Sequence, residues 1–535
     1  MSQASAAQHH HHPLNAGRVP AWTSRATNFA VFGILAIGAI YAATSLVSDL
    51  SAMPTTTTLL PFVLLGVALF IALGFEFVNG FHDTANAVAT VIYTHSMPAH
   101  VAVVWSGVWN FIGVMSSAGL VAFTIVSLLP VELILQVGSA AGFAMVFALL
   151  IAAIIWNIGT WYFGIPNSSS HALVGSIIGV GLANQLMGGP NGTSGVDWGQ
   201  ATNVFRSLAF SPVIGFVASA LLLLAAKVAL PFPALYKAPE GGKPPPRWIR
   251  GLLILTCTGV SFFHGSNDGQ KGMGLIMLIL IGTVPTAYAL NHAVGTGQVA
   301  IFGQNSQRAE AALAAHENGV VSADPRKDII DAVRTRTVTP QAVSALRLMT
   351  GDIQRQVAEY GALDKVPAEK TSNVRNEMYL ASEMLSRMVK SGQPAFTAAE
   401  LADLKTYKTS IDNATKFIPT WVKVAVAIAL GLGTMIGWKR IVVTVGEKIG
   451  KTHLTYGQGA AAEIIAMATI GAADTWGWPV STTHVLSSGV AGTMAANRSG
   501  LQWSTILSML LAWVLTLPAA IMLSGTLFWI FRQTF

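Results

Sequence analysis

Two hydroxyl-rich hexamers lie 313 residues apart in the chain, PNSSSH at 166–171 and PVSTTH at 479–484. Each proline separates one apolar stretch from the next, so each hexamer is predicted to start a helix after a break. Free backbone N–H groups and the positive dipole end at a helix start can bind an anion. Helix capping without a ligand is the alternative. The predicted oxyanion-binding hydroxyls are those of Ser168, Ser169, Ser170, Ser481, Thr482 and Thr483.

A second pair of motifs carries ionisable groups: NGFHD at 79–83 and HGSND at 264–268, offset by 185 residues. Charged groups in apolar segments are costly and usually mark ion pathways or buried partners. We therefore predict that Asp83 and Asp268 bind a coupling cation or carry a proton. A purely structural ion pair between Asp268 and Lys271 is the alternative. The side chains predicted to add carbonyl oxygens are those of Asn79, Asn86 and Asn267.

Five further side chains in or near these motifs are candidate proton carriers or hydrogen-bond partners. A single histidine on a helix is more often a hydrogen-bonded core residue than a proton carrier, and that alternative stays open for each histidine. The candidates are Glu76, His82, His171, His264 and His484.

An acidic cation site beside a hydroxyl-rich anion site predicts symport of an oxyanion with a cation, because the cation offsets the anion's charge in a low-dielectric site. Phosphate, sulfate and other tetrahedral oxyanions all fit this chemistry. An enzyme is not predicted, since the chain has no nucleophile-elbow glycine pattern, no metal-spaced Cys/His set and no nucleotide-binding loop. No cofactor and no fixed metal site are predicted. An anion channel is the alternative from a different functional class.

The elements that hold these residues are predicted to be membrane helices. Only 10% of the 535 residues are charged, against about a quarter in soluble proteins. Spanning helices need about 20 mostly apolar residues, and the runs are too continuously apolar for barrel strands. The sequence therefore predicts an all-α polytopic membrane protein. Its apolar runs lie at 28–48, 59–81, 101–129, 141–163, 171–189, 207–230, 251–284, 418–437, 456–478, 484–496 and 505–531.

Basic loops predict the orientation of these helices. Arg18 and Arg25 precede the first apolar run, which places the N-terminus in the cytoplasm, and the linkers 237–250 and 439–451 are also basic. The net charge of +7 lies mostly in such short loops and does not indicate a nucleic-acid partner. Residues 300–415 are polar and helical, and they follow a helix that leaves a cytoplasmic linker, so this soluble insert is predicted to be periplasmic.

The motif offsets predict an internal repeat. The offsets of 313 and 185 differ by about the length of the insert, so the chain is predicted to hold two copies of one membrane unit, the second interrupted. Because the opening helices of the copies run in opposite directions, the repeats are inverted, with a site near the midplane and broken, re-entrant hairpins. The predicted segments are a disordered tail 1–27, an additional helix 28–58, repeat 1 at 59–230 (hairpin tip near 166–171), a linker 231–250, the first part of repeat 2 at 251–299, the insert 300–415, and the rest of repeat 2 at 416–535 (tip near 479–484).

At these motifs the chain resembles the inorganic phosphate transporter family, and specifically its bacterial low-affinity type. The similar stretches are GFEFVNGFHDTANAVATVIYT (74–94), NIGTWYFGIPNSSSHALVG (157–175), SFFHGSNDGQKGMGL (261–275), GTMIGW (433–438) and GWPVSTTHVLSSGVAGTM (477–494). The resemblance implies phosphate as substrate, alternating access, the bacterial inner membrane and its lipid as surroundings, and a homodimer. It also implies that both Asp motifs and both hexamers form the site. Two further phosphate-binding residues are assigned beside these motifs, Thr84 and Gln270.

One position bears on the coupling ion. Sodium-coupled members of this family tend to repeat an Asn-Asp-x-x-Asn-Ala pattern in both halves, whereas here Lys271 stands where Asn86 stands in the first half. An ammonium at that point is expected to neutralise Asp268 in place of a bound sodium. We therefore predict H⁺ coupling, with Na⁺ as the alternative. The bacterial resemblance also suggests that phosphate travels as a neutral complex with Mg²⁺ or another divalent ion.

Overall fold

The computed structural model describes residues 21–51, 60–83, 85–129, 134, 139–188, 196–240 and 242–534. The predicted tail lies outside the described residues as far as residue 20. Within the described ranges the chain is helical and forms no β-strand. The α-helices are α1 Ala21–Ser51, α2 Leu60–Asp83, α3 Ala85–Tyr93, α4 Ala99–Ser116, α5 Leu120–Val126, α6 Ala140–Tyr162, α7 Ser169–Met187, α8 Trp198–Ala229, α9 Arg247–Thr283, α10 Pro285–Tyr288, α11 Thr296–Ala314, α12 Pro325–Thr335, α13 Pro340–Tyr360, α14 Ala368–Ser391, α15 Ala398–Thr415, α16 Thr420–Met435, α17 Lys439–Glu447, α18 Tyr456–Thr475, α19 Thr482–Ala496 and α20 Trp503–Thr534.

Six helical segments among the described residues are long and apolar enough to cross a membrane, or seven if α15 and α16, bent by 73°, form one span. The prediction of an all-helical, polytopic membrane protein is confirmed. The other predicted apolar runs form helices that are shorter or carry more polar residues, such as α19 and α9. The six segments are Gly33–Leu50, Phe62–Tyr93, Ala99–Ser116, Ala140–Tyr162, Trp198–Ala229 and Trp503–Thr534.

The apolar run 101–129, expected as one stretch, is broken in the structure between α4 and α5. Ser117 is extended, and Gly119 has a φ of 85°, a left-handed conformation that favours glycine. The break frees backbone N–H groups at the start of α5, and the N–H of Val121 donates to Oε1 of Gln270 at 2.9 Å. A long-range side chain therefore satisfies this helix start.

The last helix of each half of the chain packs on a hexamer-led helix of the other half: α20 on α7, and α8 on α19. Both crossings depend on glycine. A Cβ at Gly179 would lie 2.2 Å from the carbonyl oxygen of Ile521, and one at Gly492 would lie 2.1 Å from that of Phe216. Contacts this short allow no side chain, so the two backbones meet directly.

The helices that carry the two acidic motifs cross in the same reciprocal way. The second-half helix α16 packs on α2, and the first-half helix α4 packs on α9. A Cβ at Gly80 would lie 2.2 Å from the Leu430 carbonyl oxygen, and one at Gly265 would lie 2.2 Å from that of Asn110. These crossings hold the Asp83 and Asp268 ends of their helices inside the bundle.

Helices α11 to α15 form a separate polar unit with its own buried core. Leu346, Leu385 and Ile411 are fully buried there, while charged residues cover the outer faces. The two ends of the unit are joined, because the N–H of Asn291 donates to the carbonyl of Ala414 at 2.8 Å. The unit therefore leaves and re-enters the membrane bundle at one place.

Candidate functional site

The first serine of each hexamer caps the helix that follows it. Ser168 and Ser481 are both extended, and their Oγ atoms accept from the backbone N–H groups of His171 and His484, each at 3.2 Å. This geometry satisfies one of the free donors at each helix start. The capping alternative thus describes these two hydroxyls.

The hexamers meet at one carboxylate, that of Asp83. Ser169 Oγ donates to Asp83 Oδ2 at 2.8 Å, and Thr483 Oγ1 donates to Asp83 Oδ1 at 2.5 Å. The Asp83 residue is only 3% exposed. Hydrogen bonds to an ionised acceptor are among the stronger ones, so Asp83 fixes the starts of α7 and α19 relative to α2.

The second carboxylate lies in an ion pair. Lys271 Nζ lies 2.7 Å from Asp268 Oδ1 and donates to Ser170 Oγ at 2.5 Å. Ser170 Oγ in turn donates to the carbonyl of Val480 at 2.9 Å. Lys271 is fully buried, which requires a partner for its charge. The ammonium therefore connects the acidic motif of α9 to both hexamers.

His264 lies between the two carboxylates. Its Nε2 is 3.9 Å from Asp83 Oδ2 and 3.6 Å from Asp268 Oδ2. Its Nδ1 lies 2.6 Å from Oδ1 of Asn110, whose Nδ2 donates to the carbonyl of Ser106 at 3.0 Å. That second bond orients the amide, so Asn110 Oδ1 accepts from Nδ1–H. Asp83, His264 and Asp268 each offer one ligand atom, all within 4.8 Å of one another.

The other predicted histidines line the same buried region. His82 Nδ1 lies 3.2 Å from Asp83 Oδ1, and its Nε2 lies 3.2 Å from Thr160 Oγ1. The rings of His171 and His484 lie 4.6 Å apart, and His484 stacks on Trp513 at 4.1 Å. The histidines that close the two hexamers therefore face each other, one from each half.

Three predicted site residues have hydrogen-bond partners outside the cluster of Asp83, Asp268 and Lys271. Gln270 Nε2 donates to Asp474 at 2.6 Å, and Asn267 Nδ2 donates to the carbonyl of Trp478 at 3.1 Å. Asn79 Nδ2 lies 3.5 Å from an oxygen of Glu76, one turn before Asp83. Thr482 is buried at the first position of α19. Thr84 and the side chain of Asn86 lie outside the described residues.

Sequence analysis missed several buried polar partners. Asn110 orients His264, Thr160 contacts His82, and Asp474 holds Gln270. Glu463, buried in α18, accepts from the hydroxyls of two threonines, Thr90 and Thr256. Both Asn110 and Glu463 are lone polar residues in apolar runs, and that position alone is a usable signal.

Hydroxyls, helix starts and an ammonium that meet around two carboxylates can hold an oxyanion together with a cation. The model of the phosphate transporter family matches residues 79–524, most of the chain. The chain belongs to the phosphate transporter family. It is therefore a transporter and not an enzyme, and the resemblance predicted from the motifs is confirmed.

Curated relatives of this transporter carry names of the same kind. The "Low-affinity inorganic phosphate transporter PitA" of Escherichia coli (strain K12) is 43% identical over 490 residues, which cover 88% of this chain and 97% of the relative. PitB of the same strain is 40% identical over 493 residues, with the same coverage. The "Probable low-affinity inorganic phosphate transporter" of Bacillus subtilis (strain 168) is 29% identical over 465 residues, covering 87% of this chain and 96% of the relative.

One solved structure, described as "The sodium-dependent phosphate transporter", also matches this transporter. It is 18% identical, the match covers 88% of this chain and 100% of that chain, and the TM-score is 0.48.

Proposed function

We propose that this transporter imports inorganic phosphate across the bacterial inner membrane by cation symport, with H⁺ as the coupling ion. The observation that carries the proposal is the charge of the cluster. Asp83 and Asp268 contribute two negative charges and Lys271 one positive charge, all within a buried space. With neutral histidines the cluster is net negative, so an oxyanion needs an accompanying cation or proton to enter.

The environment of His264 supports a proton as that cation. Because Nδ1–H donates to Asn110, the neutral ring directs the lone pair of Nε2 toward Asp83 and Asp268. Nε2 has no hydrogen-bond partner among the described residues. A proton on Nε2 makes its contacts with the carboxylates of Asp83 and Asp268 attractive, whereas the lone pair of the neutral ring is repelled by them. Lys271 supports the same choice, since it already neutralises Asp268.

Sodium remains the alternative coupling ion. The ligand atoms of Asp83, His264 and Asp268 lie close enough together to hold a cation. Carriage of phosphate as a neutral complex with Mg²⁺ or another divalent ion belongs to the same proposal, since a neutral cargo lowers the cost of desolvation. The Asp83 and Asp268 oxygens that face His264 are the ligands that such an ion would meet.

The proposed mechanism is alternating access by two inverted repeats. It is supported by the reciprocal crossings, in which equivalent glycines at 179 and 492 meet the last helix of the opposite half. It is also supported by the two hexamers, which start α7 and α19 from opposite halves and meet at Asp83. Movement of either hairpin unit, α6–α7 or α18–α19, alters these contacts and the exposure of the site.

The predicted domain boundaries, homodimer and orientation are retained in this proposal. Basic side chains gather at one end of the bundle, where Arg250 donates to the carbonyl of Ser96 and Lys227 to Asn497. We assign this end to the cytoplasm. The polar insert lies at the opposite end, where Tyr288 donates to Asp49 at the end of α1. The insert is therefore assigned to the periplasm and the N-terminus to the cytoplasm.

Uptake of radiolabelled phosphate into liposomes that contain the purified protein tests the proposal. The pH gradient, Na⁺ and Mg²⁺ are varied independently, with sulfate as competitor. We expect uptake that an inward proton gradient drives without sodium and that sulfate does not block. Asp83→Asn and Asp268→Asn are expected to insert normally and to lose gradient-driven uptake. Sodium-dependent uptake that ignores the pH gradient contradicts proton coupling, and gradient-independent flux indicates a channel.

The hydroxyls are tested separately. Ser169→Ala and Thr482→Ala are expected to weaken phosphate binding, by about tenfold for a lost hydrogen bond to a charged group. Ser176→Ala is the matched control on α7, because its Oγ donates within the helix to the carbonyl of Ala172 at 2.8 Å. Unchanged affinity in both variants of the hexamers would mean that these hydroxyls contact other protein groups, as Ser169 contacts Asp83, and do not bind phosphate.

A further inference from the structure

A cavity of about 700 Å³ lies between the insert and the membrane bundle. Its walls come from α5, α8 and α9 on the membrane side and from α14 and the end of α15 on the insert side. Basic side chains dominate it: five lysine or arginine residues line it against three acidic ones. The cavity lining therefore carries a formal charge of +2, which favours an anion.

Arg375 of α14 lines this cavity and is only 6% exposed. Its Nη1 donates to Asn376 Oδ1 at 3.1 Å, and its guanidinium lies 5.0 Å from the centre of the Tyr379 ring. Among the described residues no carboxylate pairs with it, and its buried Nε has no hydrogen-bond partner. A buried charge needs a counter-charge, and a guanidinium suits tetrahedral oxyanions.

Three of the four other basic residues of the cavity pair with carboxylates, and Lys416 pairs with Asp412 at 2.9 Å. Arg387 and Arg336 share one carboxylate, that of Asp197, at 3.8 and 3.1 Å. The buried Nε of Arg387 has no hydrogen-bond partner either. Lys390 is exposed at the rim, where it lines this cavity and also the next one. The cavity is thus lined by two guanidinium groups that each have a buried Nε without a hydrogen-bond partner, and by one exposed ammonium.

The neighbouring cavity touches the second hexamer. It has a volume of about 970 Å³, shares Thr124, Gln200 and Asn203 with the first cavity, and reaches Val480 of the second hexamer. The carbonyl of Val480 accepts from Ser170, the hydroxyl that Lys271 contacts. The second cavity therefore adjoins both the first cavity and the break that leads into α19.

We propose that the cavity between the insert and the bundle is an oxyanion-binding vestibule, in which phosphate binds Arg375 before it reaches the transport site. This inference rests on the proposed function, because it takes phosphate as the transported ion. It assigns a role to residues 300–415: the insert supplies the arginines that concentrate the substrate at the outer entrance.

Equilibrium binding of radiolabelled phosphate to the purified full-length protein tests the vestibule. We expect two bound phosphates per chain, and Arg375→Gln is expected to bind one of them about tenfold or more weakly, because it loses a charge-assisted hydrogen bond. In liposomes the same variant is expected to raise the apparent KM for uptake and to leave the maximal rate unchanged. Arg375→Lys keeps the positive charge but loses the planar guanidinium. Its phosphate affinity is expected to lie between those of the wild type and Arg375→Gln.

Lys390→Gln provides a second, exposed variant that does not disturb the insert core, and Lys405→Gln is its matched control on an exposed position of α15 outside the cavity. We expect an approximately threefold weaker vestibule site for Lys390→Gln, the size of an exposed charge effect, and no change for Lys405→Gln. A single bound phosphate per wild-type chain, or unchanged phosphate affinity and KM in both cavity variants, overturns the vestibule and leaves the proposed transport function untouched. Absence of uptake by the wild type instead overturns the proposed function itself.

Discussion

Replacing Lys271 by asparagine is expected to make the stability of the protein depend on sodium. Lys271 Nζ lies 2.7 Å from Asp268 Oδ1, and both side chains are at most 1% exposed. Removing one partner of a buried ion pair leaves the other charge uncompensated, which costs about 3–5 kcal/mol. In Lys271→Asn, the asparagine carbonyl and Asp268 together offer oxygen ligands to a sodium ion.

The size of the sodium response follows from binding linkage. An ion present at 100 times its Kd stabilises the folded state by about 2.7 kcal/mol, roughly half or more of the loss expected from the broken pair. The double variant Asp268→Asn/Lys271→Asn removes both charges. It is therefore expected to lose less stability than Lys271→Asn alone and to show no response to sodium.

The assay is thermal unfolding of the purified variants in sodium chloride and in choline chloride at equal ionic strength, followed by phosphate uptake with a sodium gradient. Lys423→Asn is the control, since Lys423 is a half-buried lysine of α16 that donates to the carbonyl of Ser117 at 2.8 Å. The role given to this ammonium would be refuted if Lys271→Asn unfolded at the same temperature in both salts and took up phosphate at the wild-type rate in a proton gradient.

Two further predictions concern packing and pH. Gly492→Ala is expected to cost about 1–3 kcal/mol or more through overpacking against Phe216, whereas Gly159→Ala, with open space around it, is expected to keep or raise the unfolding temperature. Burial raises the pKa of Asp412, but Lys416 and Lys408 lower it further, so the net pKa falls below 3.8. This carboxylate stabilises the insert above that pH, and its contribution is lost as the pH falls through the folded-state pKa. Asp412→Asn is therefore expected to speed hydrogen exchange in α15 at pH 7, and a difference from wild type that persists undiminished at pH 3 would contradict this reasoning.

Much of the candidate site is accessible from the sequence because it is duplicated. The hexamers and the acidic motifs recur in the same order, so they are expected to share one site, and in the structure they do meet at Asp83 and Lys271. Helical geometry also explains Gln270. It lies two positions after Asp268, and residues two apart on a helix do not face each other, so its side chain turns to Asp474. Lys271, three positions on, shares the face of Asp268.

Other features do not follow from motif spacing. Three consecutive hydroxyls at a helix start point in different directions, and the backbone conformation of Ser168 decides that it caps while Ser169 reaches Asp83. Glu463 belongs to no repeated motif, so a comparison of the two halves passes over it. The break at Gly119 is hidden because the residues on both sides are apolar. The vestibule depends on tertiary packing between the insert and α5, which no local pattern reports.

The reciprocal glycine crossings have a consequence for the synthesis of the chain. The glycine-lined face of α7 is complete at Met187, but its partner α20 begins only at Trp503. At ribosomal rates of ~5–20 residues per second, roughly 300 residues take on the order of 15–60 s. During that interval the Pro166 carbonyl and the Asn167 side chain, just before α7, lack the donors that Trp513 and Thr516 of α20 supply in the finished bundle. A chain that stops before α20 leaves the glycine-lined face of α7 without the helix that packs on it.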